Sequence, residues 1–159
     1  MSRYAVLLGE IERELKDLAM LAQRTEALLT KLRVTEDQDY LGSLALNLHG
    51  FYSGCERIFQ DVALTVDDAL PNQKDWHRRL LRQMATEIPQ VRPAVLGEES
   101  LKGLNELCAF RHVVRNVYSF DLLPERVQGL AAELSLTYGE LEENLKRFCE
   151  FLARVNRSG

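Results

Sequence analysis

The chain is 159 residues long, enough for one compact domain and too short for two ordinary ones. It is 46% hydrophobic with nine Gly and four Pro, so it can build a core but has little of the punctuation that a sandwich or barrel of short strands needs. Twenty Lys plus Arg stand against 24 Asp plus Glu, a net charge of -4 that excludes a global positive field and restricts any contact with nucleic acid to a local patch.

In the first segment Tyr4, Leu8, Ile11, Leu15, Leu18, Ala22, Leu29 and Leu32 recur at steps of four and three, with Thr25 the one polar member. That spacing predicts a long amphipathic helix of ~45 Å, which only a partner of similar length could cover. The turn TEDQD, Thr35 to Asp39, supplies capping residues. Leu41, Leu44, Leu48, Phe51, Cys55, Ile58, Val62 and Val66 then predict a second helix, ended by Pro71 and Asn72. A third, shorter helix carries Trp76, Leu80, Met84 and Ile88 and stops around Pro89. PQVRPAVLGEES is the one long irregular connection.

A fourth helix begins near Glu98 or Glu99 and runs through ESLKGLNELCAFRHVVRNVYSF, its acidic start suiting the positive end of the helix dipole. Pro124 is placed for the first turn of a last helix, in which Val127, Ala131, Leu134, Tyr138, Leu141, Leu145, Phe148, Leu152 and Val155 keep the four-three spacing. No repeat or linker interrupts the chain. The expectation is a single domain over residues 1–159, an all-α bundle of about five antiparallel helices.

Cys55, Cys108 and Cys149 lie far apart and form no CxxC pair, which argues against a disulfide framework and against a Cys-built zinc site. No His/Cys/Asp spacing suggests a ligand set, so neither metal nor cofactor is expected. No apolar run approaches the ~18 to 20 residues of a membrane span, and MSRYAVLLGEIERELKDL turns acidic too soon for a signal peptide. A reduced, cytoplasmic protein without membrane attachment is the resulting expectation.

The end of the fourth helix carries the chemistry. At ~100° per residue, with Arg111 at zero, Tyr118, Arg111, Arg115, His112 and Asn116 fall between roughly -20° and 140°, whereas Val113, Val117, Phe110, Val114 and Leu107 fall between roughly 200° and 320°. Polar residues opposite an apolar stripe are what any surface helix shows, so periodicity alone assigns no function. Composition does more: the arc has no Lys, Glu or Asp, and Arg, His, Asn and Tyr suit recognition of a phosphate or nucleobase.

The octet RHVVRNVY, Arg111 to Tyr118, resembles the signature of HEPN domains, specifically the HepT-like ribonuclease toxins, in which Arg, four residues, His, one residue and Tyr follow one another. Arg111 and Tyr118 match that pattern. Asn116 stands where the family carries His, and His112 stands where Asn is frequent. A register starting at Arg115 would put Phe120 in the His position and leave no matching Tyr. Outside the octet the resemblance is architectural.

The resemblance implies a metal-independent endoribonuclease acting on RNA, with two chains joining their motifs across a homodimer, paired with a nucleotidyltransferase-like antitoxin. Arg111 would stabilise charge on the phosphate, Arg115 would add a second clamp, and His112, ~40° from Asn116 on the wheel, would supply proton transfer. Tyr118 matches the family's Tyr that a partner enzyme modifies with AMP. The alternative is a catalytically silent HEPN module that binds a nucleotide, RNA or a nucleotidyltransferase. Asn116 is the feature that favours it.

Two further clusters remain. His77, Arg78, Arg79 and Arg82 form a basic patch on the third helix, read first as a solvated face and second as a set of RNA backbone contacts. On the second helix His49, Tyr52 and Glu56 share one face, as a bundle-interior or interface group that fixes register.

Overall fold

In the computed structural model, which describes residues 3–116 and 123–158 apart from the side chains at 3, 112, 113, 115 and 116, the first apolar stripe forms α1 (Arg3–Thr35). Leu7, Ile11, Leu15, Leu18, Ala22, Leu29 and Leu32 are buried, and so is Thr25, whose hydroxyl donates to the Leu21 carbonyl at 2.7 Å. That back-bond lets a polar side chain sit inside the stripe. Tyr4 and Leu8, two of the expected members, are half-buried at the edge.

α2 (Tyr40–Val62) follows a short turn. Asp39 makes no side-chain cap there. The turn is held by Thr35, which accepts the Asp37 amide at 3.2 Å, and by Asp37, which accepts the Asp39 amide at 3.0 Å. α2 is buried over a wider arc than its four-three spacing demands, with Ala45, Tyr52, Glu56 and Phe59 buried as well. The reason is its position: it packs on α1, on α3 (Trp76–Met84), on α4 (Glu98–Asn116) and on α5 (Pro124–Ser158).

The expected run of α2 to Val66 is altered in detail. The helix widens into a π-helical turn, Ala63–Asp67, and ends on Asp68 in the left-handed region at φ 54°. α3 also stops earlier than its spacing suggests, at Met84 rather than Ile88. The returning connection takes the carbonyl that a continuing helix would use at Ile88, because the amides of Val95 and Leu96 both donate to the Met84 oxygen, at 2.8 and 3.1 Å. α4 starts at Glu98 and α5 at Pro124, as the acidic pair and the proline indicate.

α1 and α5 pack along their lengths. Phe51 of α2 meets Tyr138 of α5 edge-on at 6.4 Å, and the Tyr138 hydroxyl lies 3.1 Å from the Leu15 carbonyl. Five α-helices and no strand occur among the described residues, so the molecule is the all-α bundle that the periodicity predicts. None of these helices is long and apolar enough to cross a membrane.

Candidate functional site

The last turns of α4 place Phe110 in the core and Val114 half-buried beside it, the apolar side of the wheel. Arg111 is half-buried. Its Nε is buried without a hydrogen-bond partner among the described residues, and none of their carboxylates forms an ion pair with it. A buried, unpaired guanidinium N–H costs free energy that a bound anion would return. From the first turn of α5, Arg126 sets its guanidinium over the Phe110 ring, 5.7 Å from the centroid. The side chains of His112, Arg115 and Asn116, and the whole of Tyr118, lie outside the described residues.

The basic patch on α3 divides. Arg78, Arg79 and Arg82 are exposed, and Arg79 Nε donates to Asp75 Oδ1 at 2.8 Å across one helical turn. His77 does not belong with them. It turns inward, where its Nδ1 meets Glu56 Oε2 of α2 and its ring stacks on Trp76 with centroids 3.6 Å apart. The reading of His77 as part of a solvated face is therefore corrected: helical position carries it toward the seam between α2 and α4, while its arginine neighbours point out.

Glu56 and Tyr52 are 6% and 0% exposed, the interior pair that their spacing suggests. The Tyr52 hydroxyl is buried close to both Cys108 and Glu56 without a well-formed hydrogen bond; burial first, then these neighbours, push its ionisation far above the ordinary tyrosine range. Burial likewise raises the Cys108 thiol, against the opposing pull of the Tyr52 hydroxyl and of the Arg78 and Arg111 guanidiniums. Both groups are neutral at physiological pH and serve as dipoles, not nucleophiles.

His77, Glu56, Tyr52 and Cys108 thus form a polar seam from α3 through α2 to α4, with the Arg78 and Arg111 guanidiniums near enough to act on the Cys108 thiol. Within and beside it the charge-bearing groups are one carboxylate, an imidazole and guanidiniums. A single aspect of this was legible in sequence, namely that two polar groups four apart on the buried face of α2 demand a partner. That the partner is His77 was not, because the pairing spans 21 residues and two helices.

Bundle and connectivity together define an all-α protein of HEPN-like architecture. A family model described as HepT-like protein matches residues 43–152, more than two thirds of the chain, from α2 across the arc and into α5. The chain belongs to this family of HepT-like proteins. No curated protein and no solved structure matches it.

Proposed function

We propose that the chain is the toxin of a toxin–antitoxin pair, a metal-independent endoribonuclease whose residues 1–159 make one HepT-like domain working as a homodimer in the cytoplasm. The observation that carries this reading is the state of Arg111, which has no acidic neighbour bound to it among the described residues and a buried N–H left to satisfy. A guanidinium in that state is prepared for a phosphate rather than for a structural ion pair. In the reaction Arg111 stabilises charge on the phosphate oxygens, Arg115 acts as a second clamp, His112 transfers a proton and the Asn116 amide positions the substrate. Arg78, Arg79 and Arg82 contact the RNA backbone. Tyr118 accepts AMP from a nucleotidyltransferase-like antitoxin, which silences the site.

Incubation of the purified chain with single-stranded and structured RNA in EDTA tests the proposal. Cleavage that falls ~10² to 10³-fold in Arg111→Ala supports it. Intact RNA under every condition supports the second reading, a silent module that binds a nucleotide, RNA or a nucleotidyltransferase, which Asn116 in the family's His position favours. Light scattering at micromolar concentration tests the dimer, and a strict monomer removes the composite site.

A further inference from the structure

One row of α5 carries its charge in two blocks. Glu133 and Glu140 come first, Arg147 and Arg154 second, and the four follow one another at intervals of seven residues. Seven residues are close to two helical turns, so the four side chains share one seam of the helix. Glu133, Arg147 and Arg154 are exposed and Glu140 is half-buried. None of the four is ion-paired among the described residues. Glu143 and Glu150 stand four residues before the two arginines, the spacing at which a helix pairs its own charges, and are not bound to them.

The row borders a groove whose sign changes along its length. Where α5 faces α4, Glu99 and Glu106 join Glu133 and Glu140, against a single cation, Lys102, among the described residues that line it. Where α5 faces the returning connection at Pro93 to Gly97, the lining holds Arg147 and Arg154 against a single acid, Glu150. Leu136, 61% exposed, lies in the acidic half, and half-buried Phe151 lies in the basic half. A face that serves solubility alone has the two signs interspersed. Here they are segregated.

The segregation is self-complementary. Glu140 and Arg147, Leu136 and Phe151, and Glu133 and Arg154 lie at equal distances on either side of the Glu143–Asn144 peptide. A two-fold axis at that point, perpendicular to α5, lays a second α5 antiparallel on the first and sets the two members of each pair opposite one another. Acid then meets base twice on each side of the axis, with Leu136 and Phe151 between. We propose that this face of α5 docks a second copy of the chain, Glu140 of each copy opposite Arg147 of the other and Glu133 opposite Arg154.

This pairing is not one that joins two arcs. Arg126, in the first turn of α5, lies over Phe110, the residue before Arg111, and is ~26 Å along the helix from the axis. The two arcs therefore stand toward opposite ends of the pair, and the pairing holds whether or not the chain cleaves RNA.

The test is the mass of the full chain in solution, by light scattering and sedimentation velocity at micromolar concentration and low salt. The native chain is compared with Arg147→Glu/Arg154→Glu, with Glu133→Arg/Glu140→Arg, and with the chain carrying all four changes; circular dichroism confirms that each is folded. Each double variant, its row now of one sign, is expected to fall to half the native mass, with a dissociation constant raised ~10²-fold or more. An equimolar mixture of the two double variants and the fourfold exchange should each return to the native mass, which a general loss of folding or of net charge would not allow. Leu136→Lys weakens association with the row intact, and it decides should a double variant not fold. A native chain that is strictly monomeric, or double variants that keep the native mass, overturn the proposal. So does failure of both the mixture and the exchange to restore association. Double variants of native mass that instead lose binding to a fluorescent single-stranded RNA assign the basic half to nucleic acid.

Discussion

The guanidinium of Arg92 and the carboxylate of Asp67 meet fork to fork, Nε to Oδ1 at 2.6 Å and Nη2 to Oδ2 at 2.8 Å, with the two side chains 0% and 1% exposed. The other Arg92 N–H groups reach the carbonyls of Thr86, Pro93 and Gln83 at 2.9, 3.0 and 3.1 Å. One side chain therefore ties the π-helical end of α2, the end of α3 and the irregular connection together. Removing it leaves a buried, uncompensated carboxylate. Arg92→Met lowers stability by ~3 to 5 kcal/mol in urea titration. Arg92→Lys recovers little of that, because an ammonium cannot form the fork.

At Gly54 of α2 an added Cβ would stand 2.7 Å from Leu18 Cδ2 and 2.9 Å from Glu14 Oε1. Leu18 is 2% exposed and packed in the core. Gly54→Ala is expected to destabilise by ~1 to 3 kcal/mol despite the better helix propensity of alanine. Gly9 of α1 is the control: nothing lies within 4 Å of its Cβ position, so Gly9→Ala gains ~0.5 to 1 kcal/mol. Thermal melts of the two variants should move in opposite directions.

Asp61 is raised above its ordinary carboxylate range by burial first and then by Glu10 and Glu14 across the α1–α2 seam. The native chain therefore takes up this proton at a higher pH than the unfolded chain, and stability from this group increases as pH falls through the raised value. At pH 7 the charged form works against folding. Asp61→Asn should melt higher than the native chain at pH 7, with the gain shrinking as the pH approaches 3.

Burial and then Glu12 push the Cys149 thiol up to about 11, and burial raises Cys55 and Cys108 as well. Iodoacetamide should label half-buried Cys149 slowly at pH 7.5, with the rate rising ~tenfold per pH unit toward that value. Cys55 and Cys108 should label only on unfolding. The raised thiols and the raised Tyr52 and Tyr138 hydroxyls also have a common sign. The unfolded chain releases these protons first, so their stabilisation is whole below the ordinary range, ~8.5 for Cys and ~10 for Tyr, and is lost as pH climbs above it. Chemical denaturation between pH 8 and pH 11 measures that loss.

On the RNA-binding reading, the exposed arginines of α3 contribute charge rather than sequence recognition. Arg78→Ala and Arg82→Ala should each weaken RNA binding at all sequences and reduce the slope of log affinity against log salt by ~0.7 for single strands. A slope unchanged in both variants would place the RNA elsewhere.

Much of the bundle was legible because burial repeats with helical geometry. Leu41, Leu44, Leu48 and Phe51, or Leu141, Leu145, Phe148 and Leu152, follow the period that one buried face imposes. The ends of α2 and α3 were less so, since Val66 and Ile88 keep the apolar spacing while the backbone hydrogen bonds around them go elsewhere. Arg111 is a candidate on composition, as a guanidinium in an arc without acids, and on its place in the octet.

By itself the sequence determined the helix count, the faces turned inward and the polar arc near the end of α4, because these depend on periodicity and residue type within a few turns. Only the tertiary structure decided that His77 leaves its arginine neighbours for Glu56, that Arg92 anchors the connection through Asp67, and that Tyr52 of α2 is buried against Cys108 of α4. The physical reason is that pairing between buried polar groups on different helices is chosen by which surfaces come into contact when the core closes, and local spacing carries no record of that choice.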